Sequence, residues 1–216
     1  MIRLSLIGEG LPMNPFEKSI SSYFSPEQFT LIQKIKIGIA GAGGLGSNLA
    51  VCLTRCGFKN FEIIDSDVIE TKNLNRQYYF LDEVGQAKVT ALAERLKKIN
   101  PDINIITKRL RLSSANIGQY FQDREVLFEA FDNVESKSLL LEHFGSTDKL
   151  LIFGNGMAGI SNQQEIKIKK IKENIYFVGD GQTQVSSQNP PLAPRVTACA
   201  ALMASCALEI ITQKTS

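Results

Sequence analysis

Cysteine and histidine are scarce. The 216 residues contain four cysteines (Cys52, Cys56, Cys199 and Cys206) and one histidine, His143. No two cysteines form a C-x-x-C pair. That spacing excludes the paired knuckles of a structural zinc site and the redox pair of a thioredoxin-like enzyme, and it gives no sign of a disulfide framework. The spacings i, i+4 and i, i+7 place each cysteine pair on one helix face, which suits a packed core as readily as ligation. The expectation is buried small hydrophobes in a reducing cytoplasm, with no bound zinc and no catalytic thiol. The lone histidine falls on an expected helix near no base partner and reads as a packed or surface residue.

Excess charge is also lacking. Net charge is +2, so composition supplies no strong field for nucleic acid or a membrane surface. The apolar runs fall short of the ~20 residues a membrane span needs. The first residues, MIRLSLIGEGLP, have too short an apolar run for a signal peptide and no small-residue cleavage site. No tyrosine is followed four positions later by lysine, which removes one common signature of nicotinamide oxidoreductases. No repeat, low-complexity tract or linker composition divides the chain, so one domain over residues 1–216 is expected.

What is present is an alternation of strands and helices. Asn14-Pro15 and Ser25-Pro26 are helix starts, a capping side chain followed by proline at the first helical position, and predict a helical segment over 14–33. Strands are expected at 35–41, 61–65, 103–109, 126–131 and 150–155. Helices are expected at 44–56, 86–99 and 134–143. This order predicts an α/β fold: a Rossmann-like core over 35–155, its mostly parallel sheet covered by helices on both faces. Residues 156–213 differ. Two alternating segments, 164–171 and 174–179, read as an antiparallel pair. A long irregular crossover (181–194) with three prolines follows, then an apolar helix (195–212).

Gly41-Ala-Gly43-Gly44-Leu-Gly46 lies between the first strand and the first core helix. Glycines there let the backbone approach phosphates, and the helix N-terminus offers free N–H groups and a positive dipole end. Asp65, at the end of the next strand, can accept hydrogen bonds from ribose hydroxyls. The loop has serine at position 47 where a Walker loop has lysine, so cations must come from elsewhere. Arg76 and Lys88 are the candidates, each of which could equally be a solvated surface cation. Asp65, Asp67, Asn73, Asn75, Arg76 and Gln77 form a polar cluster past the strand end. Asp132-Asn133 follows the fourth strand; Asp132 suits Mg²⁺ held with substrate phosphates, and equally suits capping the next helix.

GAGGLGS (41–47), IIDSDVI with NLNRQ (63–77), VGQAKV (84–89), Asn100-Pro101, FDN (131–133) and PPLAPRV before the last helix together resemble the ThiF/MoeB family, relatives of the ubiquitin-activating enzymes. The resemblance runs from about residue 15 to 213. It implies an adenylyltransferase in which Gly41, Gly43, Gly44 and Gly46 cradle the nucleotide and Asp65 holds the ribose. Asn73, Arg76 and Lys88 would contact phosphates, and Asp132, with Asn133 beside it, would hold Mg²⁺. The acceptor implied is the C-terminal glycine carboxylate of a small ubiquitin-like sulfur carrier, attacking the α-phosphate of ATP with release of pyrophosphate. It also implies a homodimer in which a basic residue of the N-terminal segment reaches the partner's nucleotide. Lys18 falls nearest that place, and a solvated helix lysine is the competing reading.

The chain departs from the family pattern. It has no zinc-binding cysteine pairs, no cysteine between Asn155 and Val196, and Phe16-Glu17-Lys18-Ser19-Ile20 where relatives carry R-x-x-R-Q. These departures point to adenylylation without a thioester or acyl-disulfide step and resemble a compact ThiF serving thiazole synthesis for thiamine, with a molybdopterin or tRNA-thiolation carrier as the alternative. The competing readings are a non-catalytic nucleotide-binding partner of another activating enzyme and a nicotinamide-dependent oxidoreductase.

Overall fold

The structure, a computed structural model, describes residues 13–131, 134–160 and 163–213. The described residues begin with two short helices, α1 (Pro15–Ser21) and α2 (Pro26–Lys34). Asn14 Oδ1 accepts from the Glu17 amide at 2.9 Å, and Ser25 forms a reciprocal capping box with Gln28. Both therefore start where a side chain satisfies an otherwise orphan amide.

Among the described residues seven strands form one sheet: β1 (Lys36–Ala40), β2 (Asn60–Ile64), β3 (Asn104–Lys108), β4 (Val126–Glu129), β5 (Leu150–Gly154), β6 (Lys167–Lys172) and β7 (Ile175–Gly179). Their order is β3-β2-β1-β4-β5-β7-β6, and every pair is parallel except β6 with β7. The last two strands are the expected antiparallel pair, but β7 returns to pair parallel with β5, leaving β6 as the single reversed strand at the edge. Its sequence, KIKKIK, is exposed throughout; lysines on an edge strand discourage pairing with other chains.

Helices cover both faces. Ile37, Ile39, Phe61, Ile63, Val126, Phe128 and Ile152 point into a large core with α3 (Gly44–Arg55), α4 (Lys88–Ile99) and α6 (Ala193–Gln213). Ala40, Ile64, Leu127, Leu151 and Phe153 point the other way, into a smaller core under α5 (Val134–Phe144) and the 3-10 turn Ile117–Gln119. Strands buried on both faces read as continuous apolar runs, which is why the core of the fold is visible in the sequence.

One expectation needs correction. Helix α6, 21 residues long with an 18-residue stretch of mean hydropathy 1.5, is by length and composition long and apolar enough to cross a membrane. Here its apolarity serves the core. Val196, Cys199, Ala200, Met203, Ala204, Ala207 and Ile211 are buried, packed with residues of α3 and the sheet.

Strand order reverses at β1, whose chain neighbour β2 lies on one side and β4 on the other. In open α/β sheets the crevice beyond the strand ends at such a point is where ligands bind.

Candidate functional site

The glycine loop sits at that crevice. Gly41 has φ +105°, and a methyl there would lie 2.7 Å from the Ala130 carbonyl oxygen. A methyl on Gly46 would lie 1.9 Å from the Gly41 carbonyl oxygen. These two glycines let α3 rest directly on the end of β1. Gly43 is different: a methyl there would meet nothing nearer than Gln77 Nε2 at 3.8 Å. Gly43 is also the N-cap of α3 and contributes no side-chain cap. The positive end of α3 therefore opens on free space, where an anion is stabilised by helix N–H groups.

Serine in place of the Walker lysine has a structural task. Ser47 Oγ donates to the Gly43 carbonyl at 2.7 Å and accepts from the Tyr78 amide at 2.9 Å. The Tyr79 hydroxyl, buried, donates to the Ala42 carbonyl at 2.7 Å. Burial pushes this phenol well above its usual value, so it stays a donor. Asn48 Nδ2 donates to the carbonyls of Gly44 and Arg76 at 2.7 and 2.9 Å. The polar segment after β2 is thereby strapped onto the loop.

The charged groups lie around this opening. Asp65 Oδ2 accepts from the Ala42 amide at 2.6 Å and Oδ1 from the Asp67 amide at 2.8 Å. Burial raises the Asp65 carboxyl, against the lowering effect of those two amides and of Lys88. Lys88 is 5% exposed, which excludes the solvated-cation reading, and its Nζ donates to Asp67 Oδ2 at 2.8 Å. Burial works against the Asp67 charge, yet the Lys88 ammonium holds its carboxyl below the usual value. Arg76 is half-buried; its guanidinium donates to Asn75 Oδ1 at 2.8 Å, and its stem lies against Gly44. Asn73 is buried, and its Oδ1 caps the 3-10 turn Thr71–Asn73 by accepting from the Glu70 amide at 2.9 Å. That oxygen is engaged in holding the NLNRQ turn.

Among the described residues, one buried polar atom in this set has no partner: Gln77 Oε1. A residue 8% exposed with an orphan acceptor, beside the opening at Gly43, fits a ligand that brings a donor. The residues present thus fit a nucleotide: an uncapped helix end and Arg76 for phosphates, Asp65 for a ribose, and Gln77 with a vacant acceptor.

The structure brings together Gly41, Gly43, Gly44, Gly46, Asp65, Asp67, Asn73, Arg76 and Lys88. Asp132 and Asn133 lie outside the described residues. Lys18 does not join the site of its own chain. Helix α1 is anchored at the opposite end of the sheet, where Asn14 Nδ2 donates to Asn100 Oδ1 and Glu17 pairs with Lys59 at 3.0 Å, just before β2. Among the described residues no group of three or more His, Cys, Asp and Glu could hold a metal ion. Burial raises the thiols of Cys52 and Cys56, and pushes Cys206 up to about 11. His143 is exposed, its ring edge-on to Phe144 at 4.6 Å.

Sequence reasoning missed four residues here: Asn48, Tyr79, Glu129 and Arg195. Glu129 is 1% exposed and its Oε1 accepts from the Phe131 amide at 2.7 Å, shaping the turn after β4. Arg195 is 1% exposed and paired with Asp180. A carboxylate inside VLFEAF and a guanidinium opening an apolar helix were both legible as charges that burial obliges to find partners. Nothing in the order of residues marks Asn48 or Tyr79.

With this geometry in place, the ThiF family profile matches residues 17–216. The chain is 33% identical over 150 residues to the SUMO-activating enzyme subunit 2 of Dictyostelium discoideum, covering 68% of this chain and 22% of that protein. It is 31% identical over 170 residues to the adenylyltransferase and sulfurtransferase MOCS3 of Aedes aegypti, covering 78% of this chain and 37% of that one. It spans less than half the length of these curated relatives. Among solved structures, the E. coli tRNA N6-threonylcarbamoyladenosine dehydratase TcdA, in complex with ATP, superposes with a TM-score of 0.82. That pair is 22% identical and covers 92% of this chain and 94% of TcdA.

Proposed function

The chain belongs to the ThiF family, and from that premise we propose that it is an ATP-dependent adenylyltransferase. Its acceptor is the C-terminal carboxylate of a small ubiquitin-like sulfur carrier ending in Gly-Gly. The observation that carries this reading is the opening at Gly43, an uncapped helix end flanked by the Arg76 stem and the orphan acceptor of Gln77. ATP, when bound, supplies the electrophilic α-phosphate and the pyrophosphate leaving group.

The chain's own residues bind and orient. The first-turn N–H groups of α3 and Arg76 face the phosphates, where an anionic carboxylate must approach a polyanion. Lys88 holds Asp67 and biases the field beside Asp65. Asp132 would hold Mg²⁺. No side chain needs to form a covalent intermediate, so catalysis rests on position and electrostatics. The sulfur-carrier acceptor draws support from the adenylyltransferase and sulfurtransferase relative. A role in thiazole synthesis, a homodimeric state and a cytoplasmic location complete the proposal.

A second reading has a specific observation behind it. The chain covers nearly the whole of TcdA but less than half of the activating-enzyme relatives. On that reading the acceptor is a group carried by tRNA. The net charge of +2 argues against it. ATP–pyrophosphate exchange decides between them. Exchange stimulated by a Gly-Gly-terminated ubiquitin-fold protein, and lost on deleting its last two residues, is the expected result. Exchange stimulated by tRNA alone would replace the carrier reading with the tRNA one.

A further inference from the structure

The crossover between β7 and α6 follows Asp180, a residue whose side chain is 4% exposed. Both of its oxygens are fully used. Oδ1 accepts from the amides of Gln182 and Thr183, each at 2.8 Å, and Oδ2 accepts from the Thr183 hydroxyl at 2.7 Å and from Arg195 Nη2. Burial alone would raise this carboxyl, but those amides, the hydroxyl and the guanidinium hold it below its usual value. The Thr183 hydroxyl in turn accepts from the Ala158 amide at 3.2 Å, and the Gly159 amide donates to the Pro190 carbonyl at 3.0 Å. The irregular 181–192 segment is therefore pinned along its length to the chain that leaves β5.

Its far end meets the nucleotide site. Asn75 Nδ2, next to Arg76, donates to the Pro191 carbonyl at 3.2 Å. Val196, the residue after Arg195, lies where a methyl on Gly44 would touch it at 3.0 Å. Thr197 Oγ1 donates to Asn48 Oδ1 at 3.5 Å, and Asn48 holds the carbonyls of Gly44 and Arg76. The first turn of α6 is thus seated on the glycine loop, and Arg195 is the residue in that turn that reaches back to Asp180.

We propose that Asp180 and Arg195 are positioning residues that latch the 181–192 segment as a fixed wall beside the nucleotide site, setting the path by which the acceptor carboxylate reaches it. Nucleotide binding itself is left to the glycine loop, Asp65 and Arg76. The inference rests on the adenylyltransferase reading only for the identity of the acceptor; the latch and its contacts with Asn75 and Gly44 do not depend on it.

An isolated buried charge destabilises a fold far more than a neutral pair of similar shape does. Asp180→Asn and Arg195→Met are therefore compared singly and together. If the pair were only glue, the double variant would recover wild-type behaviour along with its stability. The latch predicts otherwise: an amide at 180 still accepts from the Gln182 and Thr183 amides, but it offers no second acceptor to the Thr183 hydroxyl, and the thioether at 195 brings no donor to it. In the double variant, amides 182–189 should exchange hydrogen at least about tenfold faster than in the wild type, while the Kd for ATP stays within about twofold. With a Gly-Gly-terminated ubiquitin-fold protein as acceptor, its KM in pyrophosphate exchange should rise at least about tenfold. Thr183→Val, which removes the two ties of the hydroxyl, to Asp180 and to the Ala158 amide, without touching the charges, should shift exchange and KM in the same direction by less, and serves if the double variant does not fold. Unchanged protection of 182–189, or faster exchange with an unchanged acceptor KM, overturns the latch. A wild-type protein that binds ATP but supports no exchange with such acceptors would count against the proposed function; the latch would then stand or fall on amide exchange and ATP affinity alone.

Discussion

Arg76 and Lys88 carry the same charge in different surroundings, and their removal should have different consequences. The Arg76 guanidinium is half-buried and donates to Asn75 Oδ1 and, at 3.4 Å, to the Lys72 carbonyl. Arg76→Ala removes a charge-assisted contact to phosphate worth roughly 1.5–3 kcal/mol, about 10- to 100-fold in ATP affinity. It leaves no buried charge behind, so the thermal midpoint should hardly move. Lys88 is buried and paired with Asp67, whose side chain is 58% exposed. Lys88→Met keeps the aliphatic stem and releases Asp67 to water, so the fold should survive. The Asp65 carboxyl, however, loses a cation that favours its ionised form. ATP affinity should therefore fall, and fall further as pH is lowered toward the raised Asp65 value. Calorimetric titration of both variants at pH 8 and at the lowest pH at which the wild type still binds ATP checks this. Equal losses at the two pH values for Lys88→Met would show that Lys88 does not act through Asp65.

At the scale of the element, the glycine loop divides its residues between folding and binding. A methyl on Gly46 has no room, with backbone at 1.9 Å, whereas one on Gly43 meets open space at a φ of −79° that any residue adopts. Gly46→Ala should destabilise the protein severely. Gly43→Ala should fold with an unchanged melting temperature yet lose ATP binding by an order of magnitude or more, because its methyl stands in the space where phosphate would approach. Thermal denaturation and ATP titration of the two variants separate these roles. Intact ATP binding by Gly43→Ala would place the phosphates elsewhere. Much of this element was legible in advance, since strand, glycines and an apolar helix follow one another directly in the chain. The ends of neighbouring elements were less so. Helix α4 begins at Lys88 and not at Gln86, because the Gln86 carbonyl accepts from the Ile69 amide and Ala87 bridges to Val68. Strand β4 stops at Glu129, short of Phe131, where the Glu129 carboxylate takes up the Phe131 amide. Such endings are decided by partners distant in sequence. The same holds for Lys88, whose burial follows from Asp67 lying 21 positions earlier, a separation that no local period encodes.

At the scale of the whole molecule, the position of Lys18 bears on the assembly. It follows Glu17, which is tied to Lys59 at the start of β2, while the site lies past the end of that strand at Asp65. Five residues of strand, about 17 Å, separate the two ends, so Lys18 cannot serve the nucleotide of its own chain. A role at phosphate requires a second subunit. Helix α6 offers a surface for one: Thr197, Ala198, Ala201 and Ser205 are exposed, with Leu202 and Leu208 half-buried beside them. Lysine can neutralise phosphate as a point charge, though without arginine's bidentate fork. A C₂ homodimer in which Lys18 reaches across makes a counting prediction. Lys18→Ala and Asp132→Ala should each be weakly active alone. In a mixed dimer both changes fall in one site: the Asp132→Ala subunit draws its lysine from the Lys18→Ala partner. The other site has an intact Asp132 and receives an intact Lys18. Co-refolding the two variants, verifying heterodimers by differential tags and light scattering, and measuring pyrophosphate exchange should therefore return up to about half of the wild-type rate per heterodimer. Heterodimers that form without regaining activity would show that Lys18 does not act across the interface, and a monomeric wild-type protein would remove the premise.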